Sequence, residues 1–278
     1  MTYWVAALLG LVQGIAEFLP ISSSGHLSVL QNIFKMQNVE EGHLFFDVLL
    51  HLATLVSVCI VYRHELADMI HEVFAFFYDI RHPQPKDDAP KPARRLVLML
   101  IVATLPLFII LPFNSQIEKL YYNTFFIGIA FLVTGGILLL ADKMQRGRKT
   151  EKNMTIGNAL VVGVCQAIAV LPGVSRSGTT ISAGMAAGFD RSFAVKFSFL
   201  LSLPAILGAN IINLFKAFGE GVDFTLLPVY LVGMVIAGVS GYFAIRLVKF
   251  ISQKGKFGKF SYYCFGVGIL TIVLSIIF

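Results

Sequence analysis

Residues 10–25 of the chain read GLVQGIAEFLPISSSG, and residues 163–178 read GVCQAIAVLPGVSRSG. Aligned without a gap, the two stretches share seven residues, at Gly10/Gly163, Gln13/Gln166, Ile15/Ile168, Ala16/Ala169, Ser22/Ser175, Ser24/Ser177 and Gly25/Gly178. Each copy leads from an apolar helical stretch through a proline into a serine-rich turn and a second short helical stretch. The chain therefore contains an internal duplication, and each copy breaks a helix at its serine-rich turn.

The composition is that of an integral membrane protein. Of the 278 residues, 56% are apolar and 14% are charged, and the mean hydropathy is +0.78. Soluble domains carry more charge, about a quarter of their residues. The three cysteines lie singly in apolar segments, which indicates neither a disulfide framework nor a metal cluster.

Ten apolar stretches fall into two length classes. Six are near the roughly 20 residues that a helix needs to cross a bilayer, namely residues 44–62, 96–113, 122–141, 192–215, 226–248 and 260–278. Four are shorter, namely residues 3–18, 25–36, 156–171 and 179–190. We predict an all-α integral membrane protein with six transmembrane helices and two re-entrant helical hairpins. Because hydrocarbon penalises unsatisfied backbone groups, each bend must be buried in protein or line a polar cavity, which makes the two bends the predicted site.

The distribution of charge orients the chain. Five basic residues lie within positions 142–152 and five more within 246–259, and the positive-inside rule assigns both loops to the cytoplasm. Counting crossings assigns the loop 63–95 to the same side and turns the short loops near Glu118 and Glu220 outward. The net charge of +6 therefore reflects membrane topology, and we expect no nucleic-acid partner.

Three crossings, an odd number, separate the two hairpins, so the hairpins should enter the membrane from opposite faces. We therefore predict an inverted-topology repeat that forms one functional domain. Its halves are residues 1–141, with a hairpin at 3–36, and residues 154–278, with a hairpin at 156–190, each followed by three transmembrane helices. Such repeats with broken helices are typical of transporters, so a transport function stays open at this point.

The second turn has the composition of an anion site. Its glycines allow a tight turn, its hydroxyls can donate hydrogen bonds, and the helix that begins near Ser177 directs free N–H groups at the turn. Arg176 adds a planar two-pronged donor that suits phosphate. The predicted phosphate-binding residues are Gly173, Ser175, Arg176, Ser177, Gly178, Thr179 and Thr180. The alternative is a capped helix start whose arginine merely extends to the membrane interface.

The first turn supplies different chemistry if it meets the second. Its polar residues are Glu17, Ser22, Ser23, Ser24 and His26. A carboxylate, hydroxyls and an imidazole provide a metal ligand or base, a nucleophile and a proton donor, which phosphoryl transfer needs besides positive charge. Gln13 lies one helical turn before Glu17, on the same face. The alternatives are a Glu17 carboxylate bonded to backbone N–H groups of the turn and a His26 that only packs.

Three further polar residues fall in apolar segments. Asp47 and His51 are four residues apart on the third segment, and they form either a second layer around the site or an interhelical hydrogen-bonded pair. Lys196 is expected to extend to the membrane interface.

The motifs in these stretches resemble those of one known family. Residues 13–17, QGIAE, fit a (Glu/Gln)-x-x-x-Glu pattern, residues 18–26, FLPISSSGH, follow directly, and residues 172–180, PGVSRSGTT, fit Pro-Gly-x-Ser-Arg-Ser-x-x-Thr. They resemble the motifs of the undecaprenyl-pyrophosphate phosphatases of the bacitracin-resistance type, and the likeness covers essentially the whole chain. The resemblance implies a multi-pass enzyme of the bacterial inner membrane that hydrolyses undecaprenyl pyrophosphate to the monophosphate and recycles this lipid carrier for peptidoglycan synthesis.

The family resemblance also implies a divalent cation, Mg²⁺ or Ca²⁺, and an active site that faces the periplasm. Glu17 is then the expected metal ligand, together with Gln13, which occupies a position where many members have Glu. Arg176 is expected to bind the diphosphate, Ser23 or Ser22 to act as nucleophile or orienting hydroxyl, and His26 as acid or base. The sequence leaves open whether serine or water attacks and whether the chain forms a homodimer. The alternative function is a lipid-phosphate transporter or flippase that binds without hydrolysis.

Overall fold

The chain folds into helices, as a computed structural model shows for residues 1–33, 43–82, 91–144, 147–254 and 257–277. The α-helices are α1 Tyr3–Phe18, α2 Ser23–Ile33, α3 His43–Val61, α4 Arg63–Arg81, α5 Pro92–Thr104, α6 Leu107–Ile110, α7 Asn114–Leu120, α8 Thr124–Asp142, α9 Ile156–Ile168, α10 Arg176–Ala186, α11 Arg191–Glu220, α12 Leu227–Lys254 and α13 Gly258–Ile277. Among these described residues the extended structure is limited to a single bridge between Lys149 and Phe189.

Six helical segments of the described chain are long and apolar enough to cross a membrane. They are Leu44–Val61, Pro92–Leu120, Thr124–Asp142, Arg191–Gly219, Phe224–Lys254 and Gly258–Ile277. The two helices α1 and α9 are apolar but shorter. The prediction of an all-α chain with six candidate membrane-spanning helices is confirmed.

Both duplicated stretches form a helix, a turn and a second helix, as the pattern predicts. In the first copy α1 ends at Phe18, where the Leu19 N–H still bonds the Ile15 carbonyl at 3.2 Å, and α2 begins at Ser23. In the second copy α9 ends at Ile168 and α10 begins at Arg176. The predicted end of the first hairpin, at positions 34–36, lies outside the described residues.

The stretch 96–113, which we predict to form one transmembrane helix, lies within the candidate span Pro92–Leu120, but its helix is interrupted. Helix α5 ends at Thr104, α6 begins only at Leu107, and a 3-10 turn at Leu111–Phe113 precedes α7. Pro106 and Pro112 lie at these breaks. Each proline removes a backbone donor and crowds the carbonyl four residues earlier, which ends a regular α-helix.

The prediction of a loop over residues 63–95 is wrong for its first part, which forms the helix α4. The sequence of α4 is amphipathic, and its acidic side contacts α5. The Arg94 side chain donates to Glu72 at 3.2 Å and to Asp79 at 2.7 Å. The proline-containing positions 83–90 of the same loop lie outside the described residues.

Matched glycines of the duplication make matched helix contacts. A Cβ atom added to Gly10 on α1 would lie 2.3 Å from the Gly233 carbonyl oxygen on α12. A Cβ atom added to Gly163 on α9 would lie 2.4 Å from the Ala103 carbonyl oxygen on α5. The first helix of each copy therefore packs directly on backbone of the other half of the chain, and close packing of this kind requires small residues.

Candidate active site

The two serine-rich turns meet inside the protein. The Arg176 guanidinium forms an ion pair with Glu17 Oε1, and the Ser177 hydroxyl donates to the Leu19 carbonyl at 3.1 Å. A Cβ atom added to Gly25 would lie 2.9 Å from the Cα atom of Gly173, so the two backbones are in contact. The predicted meeting of the two turns is confirmed, and Arg176 contacts a carboxylate rather than extending to an interface.

Each turn is closed by a capping serine at the matched position. The Ser22 hydroxyl accepts from the Gly25 N–H at 3.3 Å, and the Ser175 hydroxyl accepts from the Gly178 N–H at 3.0 Å. Serine is favoured at this position because its oxygen satisfies an N–H group that the helix leaves free. Ser22 itself has a φ of +69°, a conformation that costs energy for a residue with a side chain.

Thr134 on α8 holds the second turn from outside the duplicated motif. Its hydroxyl donates to the Gly173 carbonyl at 3.2 Å and accepts from the Ser175 N–H at 3.0 Å. Gly173 has a φ of +87°, which L side chains rarely adopt. These two bonds fix the backbone that leads into Arg176.

The Glu17 carboxylate is buried and is contacted by four side chains, from α1, α2, α3 and α10. The Ser23 hydroxyl donates to Oε2 at 2.6 Å, and the Gln13 amide donates to the same oxygen at 3.1 Å. His51 on α3 brings Nε2 to 3.9 Å from Oε2, the distance of an ion pair when the ring is protonated. With Arg176 on Oε1, these contacts exclude the alternative in which backbone N–H groups of the turn are the partners of Glu17.

His26 lies beside the turn and does not bond Glu17 in the described structure. Its Nδ1 lies 2.7 Å from the Ser22 carbonyl oxygen, and its Nε2 lies 2.8 Å from the Tyr263 hydroxyl on α13. Phe131 contacts the imidazole edge to face, with ring centroids 4.9 Å apart. Both ring nitrogens are therefore engaged by protein groups.

The two predicted phosphate-binding threonines, Thr179 and Thr180, differ in whether their hydroxyl groups have hydrogen-bond partners in the described structure. The Thr180 hydroxyl donates to the Arg176 carbonyl at 2.8 Å and lies 2.6 Å from the Ser198 hydroxyl, so it supports packing between α10 and α11. The Thr179 hydroxyl is buried without a hydrogen-bond partner among the described residues. The phosphate-binding roles of the whole second turn stay predictions.

Three residues near the site escaped the predicted set, namely Thr134, Tyr263 and His51. Only His51 gave a signal in the sequence, because it forms an i, i+4 polar pair with Asp47 in an apolar run. The contact with Glu17 favours the interpretation of this pair as a second layer around the site, and Asp47 itself accepts from Gln31 at 3.1 Å. Lys196, which we expect to extend to the interface, pairs with Glu151 of the loop 142–152 at 3.0 Å.

Comparisons with known proteins agree over the full length of the chain. Residues 6–270 match the family described as bacitracin resistance protein BacA. An undecaprenyl-diphosphatase of Carboxydothermus hydrogenoformans is 42% identical over 99% of this chain and 98% of that protein. Proteins of the same name from Methanobrevibacter smithii and Halothermothrix orenii are 41% and 38% identical, over 98% and 100% of this chain and 97% and 100% of those proteins. The chain therefore belongs to the bacitracin resistance protein BacA family.

Proposed function

We propose that this chain is a membrane enzyme that hydrolyses undecaprenyl diphosphate to undecaprenyl phosphate and inorganic phosphate. The observation that carries the proposal is the cluster of Glu17, Ser23 and Arg176 where the two broken helices meet. Phosphoryl transfer needs a nucleophile, a base and positive charge near the phosphate, and a hydroxyl that donates to a buried carboxylate beside a guanidinium can supply all three. The cited relatives are named as diphosphatases, which favours hydrolysis over the alternative of a flippase.

Arg176 binds the diphosphate in this proposal. A guanidinium has five N–H donors in a rigid fork, so it can hold phosphate oxygens in two directions. Positive charge at this point also stabilises the negative charge on the transferring phosphoryl group. Before substrate binds, the ion pair with Glu17 keeps the guanidinium oriented.

Ser23 is the proposed nucleophile. Its hydroxyl is half-buried and donates to Glu17, whereas the Ser22 hydroxyl is buried and caps α2. The Ser23 oxygen bonds the terminal phosphorus and its proton passes to Glu17, while the bond from that phosphorus to the bridging oxygen breaks and its electron pair leaves with undecaprenyl phosphate. A water oxygen then bonds the same phosphorus and passes one proton to His26, which later returns it to solvent. The bond from phosphorus to the Ser23 oxygen breaks, and that oxygen takes back the proton held by Glu17, which restores the hydroxyl and releases inorganic phosphate.

The residues around Glu17 fit a divalent cation. The Oε1 atom of Gln13 is buried and has no hydrogen-bond partner among the described residues. The amide nitrogen of the same side chain donates to Glu17. Mg²⁺ and Ca²⁺ prefer oxygen ligands, and Mg²⁺ is commonly held by one or two carboxylates together with substrate phosphates. Glu17 and Gln13 would hold the ion in this proposal. An ion held there would supply positive charge to the phosphate oxygens.

Phosphate release from a soluble analogue tests the proposed function. Purified protein in detergent, given farnesyl diphosphate with Mg²⁺ or Ca²⁺, is expected to release inorganic phosphate, and a chelator is expected to stop the release. Binding of the analogue without phosphate release in either cation would overturn hydrolysis and favour the transporter.

We further propose that the two halves, residues 1–141 and 154–278, form an inverted repeat with two re-entrant hairpins. The matched contacts of Gly10 with α12 and of Gly163 with α5 support this arrangement, because a two-fold relation exchanges these helix pairs. The matched serine caps of the two turns support it as well. His51, which contacts Glu17, supports a site at membrane depth. It lies within the span Leu44–Val61, and a rise of 1.5 Å per residue places it about 10 Å from the start of that helix.

The proposed location is a bacterial inner membrane with the site open to the periplasm. Single cysteines at Ser24 and His51, which are both half-buried, test this orientation in a variant that lacks Cys59, Cys165 and Cys264. An impermeant thiol reagent added outside intact spheroplasts is expected to label both, and farnesyl diphosphate is expected to protect both. Labelling that requires access from the cytoplasm would reverse the orientation.

A further inference from the structure

Tyr263 bonds the predicted acid or base from the last helix of the chain. Its hydroxyl lies 2.8 Å from His26 Nε2. The two rings are also stacked, with centroids 5.7 Å apart and an interplanar angle of 12°. Tyr263 is 46% exposed, so its ring forms an outer wall beside His26.

The bonds of His26 determine which nitrogen carries the proton. The Ser22 carbonyl oxygen can only accept, so the Nδ1 atom 2.7 Å away carries a hydrogen. In the neutral ring Nε2 then has a lone pair, and the Tyr263 hydroxyl donates to it. One carbonyl and one phenol therefore hold the imidazole in a single tautomer and orientation.

We propose that Tyr263 is a positioning residue for His26. Its hydroxyl holds the lone pair of Nε2 in a fixed direction beside the two turns, and its ring prevents rotation of the imidazole together with Phe131. During hydrolysis the phenol, which is 46% exposed, turns its hydroxyl to solvent, and Nε2 takes the proton of the attacking water in the direction that the phenol has fixed. This role rests on the proposed phosphatase activity.

The substitution Tyr263→Phe removes one hydroxyl and keeps the stacked ring. We expect kcat for phosphate release from farnesyl diphosphate to fall by about tenfold, the worth of one well-placed hydrogen bond. KM and the thermal unfolding midpoint should stay near those of the parent protein. Tyr262→Phe is the matched control, because the neighbouring ring is 71% exposed and should leave kcat unchanged.

A double substitution separates positioning from a general structural effect. In a His26→Gln background, Tyr263→Phe should produce no further fall in kcat, since the nitrogen that it orients is gone. An equal fall in both backgrounds would show that Tyr263 acts independently of His26 and would overturn the proposal. A parent-like kcat for Tyr263→Phe would overturn it too.

A spectroscopic readout keeps this proposal separate from the proposed function. In protein labelled with ¹⁵N-histidine, the Nε2 resonance of His26 is assigned by its loss in His26→Gln. Tyr263→Phe should shift that resonance because the nitrogen loses its donor, even if the protein releases no phosphate at all. An unshifted resonance would overturn the contact, whereas absent phosphate release with the expected shift would count against the phosphatase alone.

Discussion

Replacing Glu17 with Gln is expected to lower phosphate release by about a thousandfold, within the range of general acid–base catalysis. The carboxylate accepts the Ser23 hydroxyl at 2.6 Å and pairs with Arg176. An amide of the same size cannot take the serine proton and brings no negative charge for a cation. The measurement is the steady-state rate with farnesyl diphosphate across a Mg²⁺ titration, in which any residual activity should need more metal.

Ser23→Ala tests whether Glu17 acts through the serine. If the two side chains form one unit, the double variant with Glu17→Gln should be hardly slower than either single variant. The control for Glu17→Gln is Glu118→Gln, which should leave phosphate release unchanged. Glu118 also pairs with a basic side chain, that of Lys216, but this pair is exposed. Full activity of Glu17→Gln with an unaltered Mg²⁺ titration would remove Glu17 from the site.

Stability measurements separate the chemistry of Glu17 from its place in a buried ion pair. Removing one partner of a buried pair costs about 3–5 kcal/mol because the other charge is left without compensation. Glu17→Gln should therefore lower the thermal unfolding midpoint. The double variant Glu17→Gln/Arg176→Gln, which removes both charges, should recover part of the midpoint and none of the activity.

Replacing Arg176 with Lys is expected to lower phosphate release by about a hundredfold, as for the loss of one oriented transition-state donor. Lysine keeps the positive charge opposite Glu17, so the protein should stay folded with a similar midpoint. It loses the planar fork that binds two phosphate oxygens at once. The rate with saturating farnesyl diphosphate, together with KM, measures the loss.

Arg246→Lys is the matched control for this substitution. Arg246 is exposed and contacts Tyr242 on its own helix, so the change should leave phosphate release near that of the parent protein. Wild-type turnover of Arg176→Lys would contradict the prediction, because it would show that activity needs at most a positive charge at this position.

The duplicated stretches contain enough information to predict where the two turns lie and that they meet. The prolines and serines mark both helix breaks, and the capping hydroxyls of Ser22 and Ser175 follow from local backbone chemistry. The sequence predicts the wrong local structure where two patterns in the same segment favour different conformations. The charges of residues 63–81 predict a loop, whereas their amphipathic periodicity forms the helix α4. The apolar stretch 96–113 predicts one continuous helix, whereas Pro106 interrupts it.

The sequence by itself determined the class of the protein, its candidate membrane-spanning helices, the duplication and most of the chemistry at the two turns, because these depend on composition and on neighbours along the chain. Only the tertiary structure decided which groups bond one another. Arg176 reaches Glu17 across 159 positions, and Tyr263 reaches His26 across 237. Such contacts are set by how closely glycine-bearing helices from opposite halves pack, and no local preference of the backbone encodes them.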